Sequence, residues 1–470
     1  MNFKSIFFYL SLFCFPVGLL SFINILYSSY FNYFLSIDSY FVSLSASLIF
    51  GGGFYYFGKK TNKNINFIEQ LILIIFVYVF VGVLISIPFY MSNFQNTFIN
   101  SFFESISGLT GTGFSTFKNI KYLDPTLILW RSSSQWIGGL YFLFFLIILF
   151  SNKSFNYKMI DLTFSGDNYF KSKENIKNNL FKIFIMYCAL SLIFFTLLNI
   201  SEVRLFHSLN LSMTLISGGG FLPSDSLSEI ISTNFQKIVL IFTLTISMLN
   251  FYLIFNIFDK KNFINNHSED LYLIIFAFIS ILLIYFANFK GLEIIINILS
   301  SISNSGITLS ENKSNLSLYF LIITIVGGSL VSNSSGIKLT RLYILLKITS
   351  SEILKLISPN SIINKTIFSS TKKITDENVK ISFLIFISFF LSLFILSCFL
   401  VFDNIGFERS FKLSILALTN TVNSEMYNLA NLNFSNLLTS SKMSLIIFMI
   451  IGKIELISVF LIFKKIFFKD

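Results

Sequence analysis

An all-α polytopic membrane protein is the fold class that the sequence predicts, and three observations carry it. Hydrophobic residues make up 54% of the 470-residue chain and charged residues only 12%, about half the charged share of soluble domains, too little to build a water-facing surface. Ten apolar segments reach the ~20 residues that a helix needs to cross a bilayer. Four shorter apolar pieces lie between them, each ending in a cluster of Gly, Ser, Thr or Asn. The expected architecture is two N-terminal helices followed by four helix–pore-loop–helix repeats around a pseudo-fourfold pore.

The segments follow in chain order. Residues 5–30 resemble a signal peptide behind Lys4, but the stretch is long and lacks a small-residue cleavage site, so it reads as a spanning helix. With 39–57 it forms an N-terminal pair, residues 1–64. The first repeat, 65–155, holds spans 66–90 and 126–150 around the short piece 95–109. The second, 156–262, holds 178–200 and 234–258 around 203–216. The third, 263–378, holds 271–288 and 314–348 around 291–304. The fourth, 379–470, holds 380–402 and 441–467 around 408–420. The short pieces read as re-entrant half-helices or buried surface helices. Small, polar and glycine-bearing residues interrupt the span 314–348, and such a break marks a hinge or a cavity lining, with a packing kink as the alternative.

A net charge of +11 invites a nucleic-acid partner, but its distribution argues for membrane insertion. With a cytoplasmic N-terminus and alternating spans, 23 of the 34 Lys and Arg lie inside and 10 outside, with Lys453 inside a helix. Acidic residues divide 10 to 11, as expected when positive charge alone sets topology. Cys14, Cys188 and Cys398 sit in apolar runs without metal-ligand spacing and read as small core residues. His207 and His267 are lone and unpaired in the sequence, which leaves zinc or haem without support. The chain is expected to bind no cofactor of its own.

The short pieces end in Glu104-Ser-Ile-Ser-Gly-Leu-Thr-Gly-Thr-Gly-Phe114, Ser212-Met-Thr-Leu-Ile-Ser-Gly-Gly-Gly-Phe221, Leu299-Ser-Ser-Ile-Ser-Asn-Ser-Gly-Ile307 and Leu416-Ala-Leu-Thr-Asn-Thr-Val-Asn-Ser424. Irregular backbone at membrane depth costs several kcal/mol per unpaired group unless it lines a water-filled path. Four such turns around one axis present carbonyl oxygens that replace the hydration shell of a monovalent cation. Glycine permits the positive φ that aligns successive carbonyls, and the short helices aim their negative C-terminal ends at the ion. Close packing of membrane helices is the alternative use of the small residues. The candidate lining is Thr110, Gly111, Thr112 and Gly113; Ser217, Gly218, Gly219 and Gly220; Asn304, Ser305 and Gly306; and Asn420, Thr421 and Val422.

These residues resemble the Trk/Ktr/HKT superfamily of potassium uptake proteins, and within it the bacterial Trk-type membrane subunit. Phe103–Gly113 looks like the family's first pore loop, with Gly113 on the shared filter glycine. Ile216–Asp225 is similar to the second, with Gly219 there, and Ser303–Gly306 to the third. Trp130-Arg131 with Gln135-Trp-Ile-Gly-Gly139 matches the entry to the first post-pore helix. Val326–Arg341 resembles an intramembrane gating loop at 327–337, which implies gating roles for Gly327, Gly328, Ser332, Asn333, Ser334, Ser335, Gly336 and Lys338. Gly452-Lys453-Ile-Glu455 aligns with a Gly-Arg-x-Glu pattern whose cation projects into the pore, here a lysine without arginine's planar fork. A salt bridge of Lys453 is the alternative.

The resemblance implies potassium as the transported ion and a homodimer in the lipid of a bacterial inner membrane. It also implies a peripheral cytosolic nucleotide-binding (TrkA-like) regulatory subunit, since this chain has no GxGxxG of its own. Two departures matter. Val422 stands where a glycine is expected, and a β-branched residue resists positive φ, so one quarter of the ring is expected to be misaligned or widened and selectivity for potassium over sodium weakened. Gly111 and Gly218 replace hydroxyl-bearing residues. A weakly selective sodium/potassium permease is therefore the alternative. A membrane-embedded transferase would need clustered acidic residues or histidines, and a rocker-type carrier two similar halves.

Overall fold

A computed structural model describes residues 2–34, 36–61, 65–92, 97–150, 176–253, 267–289, 291–309, 316–359, 364–368, 373–430 and 432–454. All regular elements among the described residues are helices. Helices α1 (Phe3–Tyr30) and α2 (Ile37–Gly58) form an antiparallel pair, where Gly58 lets the helices approach until an added Cβ would lie 2.6 Å from the Phe8 backbone. The pair leans on the helices of the expected first repeat: α3 (Phe67–Met91), the short α4 (Phe98–Thr110) and α5 (Pro125–Phe150). The Tyr141 hydroxyl on α5 donates to Phe13 O of α1 at 2.6 Å, and Trp130 Nε1 donates to Ile85 O of α3 at 3.0 Å.

The second repeat comprises α6 (Ile176–Ile200), the short α7 (Leu205–Ile216) and α8 (Asn234–Met248). The third comprises α9 (Ser268–Phe286), the short α10 (Leu292–Ile302), α11 (Ser317–Val326) and α12 (Leu339–Ile357). The fourth comprises α13 (Asp376–Phe402), the short α14 (Phe407–Leu418) and α15 (Thr439–Ile454). Local signals fix several starts. Asn66 with Glu69, and Thr233 with Gln236, form capping boxes at α3 and α8, and Thr97 and Thr375 cap α4 and α13.

Each short helix packs against the helices before and after it in the chain and also against the helix that follows the short helix of the preceding unit, counted around the circle. Thus α7 touches α5, α10 touches α8, α14 touches α11, and α4 touches α15, which closes the circle.

Seven helices among the described residues are long and apolar enough to cross a membrane, against ten expected spans. The difference has local causes. The expected span 234–258 stops at Met248, where Leu249 turns extended and the Asn250 amide donates to Asp270 Oδ1 at 3.0 Å. The span 314–348 is broken between Val326 and Leu339, as its polar interruption predicts. The span 441–467 is described only to Ile454. Two smaller expectations fail. Cys398 is exposed on α13 and is not a core residue, and His267 is not alone, because its Nδ1 lies 2.9 Å from Asp270 Oδ2.

Candidate ion pathway

The four polar turns meet. Each short helix runs into a residue in the left-handed region: Gly111 (φ 78°), Gly218 (φ 65°), Asn304 (φ 60°) and Asn420 (φ 49°). Glycine and asparagine are the residues that take this conformation at least cost. A Cβ added to Gly113 would stand 2.9 Å from Gly220 Cα, and one on Gly218 would stand 3.4 Å from Ser303 O. Asn304 Nδ2 donates to Thr421 Oγ1 at 3.3 Å, and Asn420 Nδ2 donates to Thr112 Oγ1 at 3.0 Å. First turn touches second, second third, third fourth, and fourth first.

The two asparagines do the same work in adjacent turns. Asn304 Nδ2 also donates to Thr324 O of α11 at 2.9 Å, and Asn420 Nδ2 to Met449 O of α15 at 2.9 Å. Glycine at 111 and 218 leaves the corresponding space free, and other groups fill it. A Cβ on Gly111 would lie 3.8 Å from Lys453 Nζ, and one on Gly218 would lie 3.6 Å from Asn333 O.

Counting from the left-handed residue corrects one register. Two residues beyond it stand Gly113, Gly220, Gly306 and Val422, so Gly220 and not Gly219 is the counterpart of Gly113. Gly219 faces away from the ring, and a Cβ there would meet the Gln135 side chain at 2.5 Å. Nor is the ring fourfold in detail. Gly113 (φ 82°) and Gly306 (φ 68°) are left-handed, and their amides donate six residues back to Ser107 O and Ser300 O. Gly220 and Val422 are not left-handed, and in their turns Gly219 and Thr421 donate five residues back to Thr214 O and Leu416 O. Val422 therefore escapes the strain expected of it. Its side chain fills the place that a Cβ on Gly220 would take, with Cγ1 2.7 Å from that position.

Beneath the ring lies the break 327–338. Gly327, Gly336 and Lys338 turn the backbone left-handed (φ 69°, 88° and 75°). The loop knots on itself: Lys338 Nζ donates to Ser329 O at 3.0 Å, to Ser334 Oγ at 3.0 Å and to Ser334 O, and Ser332 and Ser334 hydroxyls pair at 2.6 Å. Gly328 N donates to Ser334 Oγ at 3.0 Å. The loop then reaches the turns. Asn333 Nδ2 donates to Ile216 O at 2.8 Å, Ser335 Oγ donates to Asn420 Oδ1 at 2.8 Å, and Gly327 lies against Asn304 Oδ1. On its other side it is bound to the end of α8, with Ser329 N donating to Met248 O and Phe251 N to Val331 O.

Lys453 joins the same cluster. Its ammonium is buried, donates to Asn333 O at 2.7 Å and sits 4.7 Å from the centre of the Phe142 ring. Among the described residues it has no carboxylate partner; Glu455 lies outside them. On the opposite face of the ring a cavity of about 350 Å³ opens, floored by Gly113, Gly220 and Val422 and edged by Asp225 and Glu425.

All the candidate lining and loop residues thus converge, except that Gly219 faces α5. Sequence reasoning gave no individual role to Gln135, which sits behind Gly219 with its Oε1 accepting from Phe221 N at 3.3 Å. It gave none to Gly139 either, where a Cβ would meet Tyr187, Asn333 and Ser217 within 3 Å. Their signal was present in Gln135–Gly139, but only the fold supplies the neighbours.

No protein-family model matches the chain. It is similar to an uncharacterized cation transporter of Methanocaldococcus jannaschii, 25% identical over 96% of this chain and 94% of the relative. It is also similar to the Trk system potassium uptake protein TrkG of Escherichia coli, at 23% identity over 93% and 92%. TrkH of the same organism is 22% identical over 90% and 91%. The crystal structure of the potassium transporter TrkH from Vibrio parahaemolyticus shares the fold, with a TM-score of 0.81 and 17% identity over 100% of both chains. Together these likenesses support a Trk-type membrane subunit.

Proposed function

We propose that the chain takes up potassium across a bacterial cytoplasmic membrane along the axis of the four-turn ring. The observation behind this reading is the closed contact of four polar turns at four helix C-termini, each held left-handed by Gly or Asn. Carbonyl oxygens presented by such turns substitute for the water of a monovalent cation, and the helix ends add negative potential. The relatives named as potassium and cation transporters, not as enzymes, support the same reading. In it residues 1–64 brace four pore units at 65–155, 156–262, 263–378 and 379–470. The loop 327–337, with Lys338 and Lys453, is the gate. A homodimer, a cytoplasmic N-terminus and a nucleotide-binding regulatory subunit below the gate complete it.

A weakly selective sodium/potassium permease is the second reading, favoured by Val422 packed on Gly220 at the cavity floor. Potassium-limited growth and rubidium uptake in a strain without its own uptake systems separate the two. Rescue with rubidium uptake little affected by sodium supports the first, and equal competition by sodium supports the second. No uptake from chain present in the membrane overturns both.

Gly113→Ser is expected to lower the rubidium-over-sodium uptake ratio about tenfold, equivalent to ~1.4 kcal/mol. The serine Cβ combines a left-handed φ with a 2.9 Å approach to Gly220. An unchanged ratio at parental expression removes the filter assignment. Gly218→Asn keeps a conformation that asparagine already holds at 304 and 420, but puts a side chain where Asn333 sits. Resting rubidium uptake is expected to rise several-fold; a fall with intact protein counts against the gate.

A further inference from the structure

The first turn has a buried ion pair behind it. Glu104, on α4, is fully buried and Arg131, on α5, nearly so. Arg131 Nε donates to Glu104 Oε1 at 2.9 Å. The carboxylate takes three further bonds from the segment that leaves the first turn: Ser115 Oγ to Oε1 at 3.0 Å, and Thr116 N and Oγ1 to Oε2 at 2.7 and 3.1 Å. The guanidinium continues outward. Nη2 donates to Ser115 Oγ at 3.0 Å, Nη1 to Leu222 O at 3.5 Å, and Cζ lies 4.2 Å from the Phe221 ring centre. One carboxylate and one guanidinium thereby fasten the exits of two adjacent turns, Ser115–Thr116 beyond Gly113 and Phe221–Leu222 beyond Gly220.

The arrangement occurs in one repeat only. Glu104 stands seven residues before the left-handed Gly111, and the same register holds Leu211, Asn297 and Leu413 in the other three. Asn297 is buried with no hydrogen-bond partner for either amide atom. A buried pair of charges is no efficient source of stability, since desolvation offsets most of the attraction. Its value lies in direction: charge-assisted bonds and a planar fork hold their partners in one geometry.

We infer that Glu104 and Arg131 are positioning residues for ion selection, holding the first and second turns at the separation that discriminates between potassium and sodium. The inference rests on the filter reading above. Without the pair, the exits of both turns are free to shift, and carbonyls that move by fractions of an ångström no longer favour the larger ion.

The test is the rubidium-over-sodium uptake ratio in the same cells, with membrane abundance and melting temperature of the purified chain measured alongside. Removing one partner leaves a buried unpaired charge and invites misfolding, so two other variants are used. Ser115→Ala removes the hydroxyl bonded to both partners and leaves both charges paired. The double variant Glu104→Gln/Arg131→Gln removes both charges together.

The expected result is a ratio lowered about threefold by Ser115→Ala and about tenfold by the double variant, with Ser115→Ala at parental abundance and melting temperature. If the double variant fails to reach the membrane, Ser115→Ala decides alone. An unchanged ratio in Ser115→Ala and in any double variant that folds overturns the inference. When Gly113→Ser shifts the ratio in the same assay, that failure belongs to the pair alone. A ratio that Gly113→Ser also leaves unchanged overturns the filter reading and the inference with it.

Discussion

Deleting Ser332–Ser335 is expected to raise resting rubidium uptake by about tenfold or more and to weaken its dependence on any regulatory partner. The four residues hold the contacts by which the break 327–338 meets the ring. Asn333 donates to Ile216 O at the end of α7 and accepts from Lys453, and Ser335 donates to Asn420. Ser332 and Ser334 supply the hydroxyls that fold the loop on itself and hold Lys338. Net hydrogen bonds contribute ~0.5–1.5 kcal/mol each, so three lost contacts at the ring amount to a few kcal/mol against the closed arrangement. Gly327, Gly328 and Gly336 remain, and their conformational freedom lets the shortened segment rejoin α11 to α12. Tracer uptake per molecule in the membrane measures the effect. Reduced uptake by a folded deletion variant makes the segment a structural kink.

The ring was legible in the sequence because its chemistry is local. Short apolar pieces that end in Gly, Ser, Thr and Asn are incompatible with lipid, and the break in 314–348 is visible for the same reason. What eluded sequence reasoning depends on register and on neighbours. Gly111, Gly218, Asn304 and Asn420 share one conformation, a signal readable as Gly or Asn two places before Gly113, Gly220, Gly306 and Val422. The family's glycine pattern points to Gly219 instead, which packs against Gln135. Val422 was expected to suffer as a β-branched residue at positive φ, but the second and fourth turns follow a different hydrogen-bond path that never asks it to. The end of α8 at Met248 was hidden for a like reason: the apolar run continues, and the carboxylate that takes the Asn250 amide comes from α9.

Lys453→Gln is expected to raise resting uptake ten- to a hundredfold, and Lys453→Arg to leave it near the parental value. A cation at membrane depth costs ~2.5–3.5 kcal/mol or more on insertion scales, and among the described residues what compensates it is one carbonyl, Asn333 O, and one ring face, Phe142. The structure gives the lysine a site because of two glycines. Gly452 lets α15 close on the end of α14, where an added Cβ would meet the Leu418 backbone, and Gly111 leaves the space into which the ammonium extends. In the first repeat Gly138 makes the matching approach to Leu109, but the next residue is Gly139, so that helix sends no charge under the ring at this position. An ion about 5 Å from that charge meets ~3 kcal/mol of repulsion at an effective dielectric near 20, about a hundredfold in occupancy. Glutamine keeps a donor for Asn333 O while removing the charge; arginine keeps the charge. Because Lys453 and the loop meet at Asn333, the two effects couple. Lys453→Gln in the Ser332–Ser335 deletion background is therefore expected to add less than it does alone. A glutamine variant that misfolds, or that transports more slowly while intact, assigns Lys453 to a structural salt bridge. Full additivity with the deletion separates the lysine from the gate.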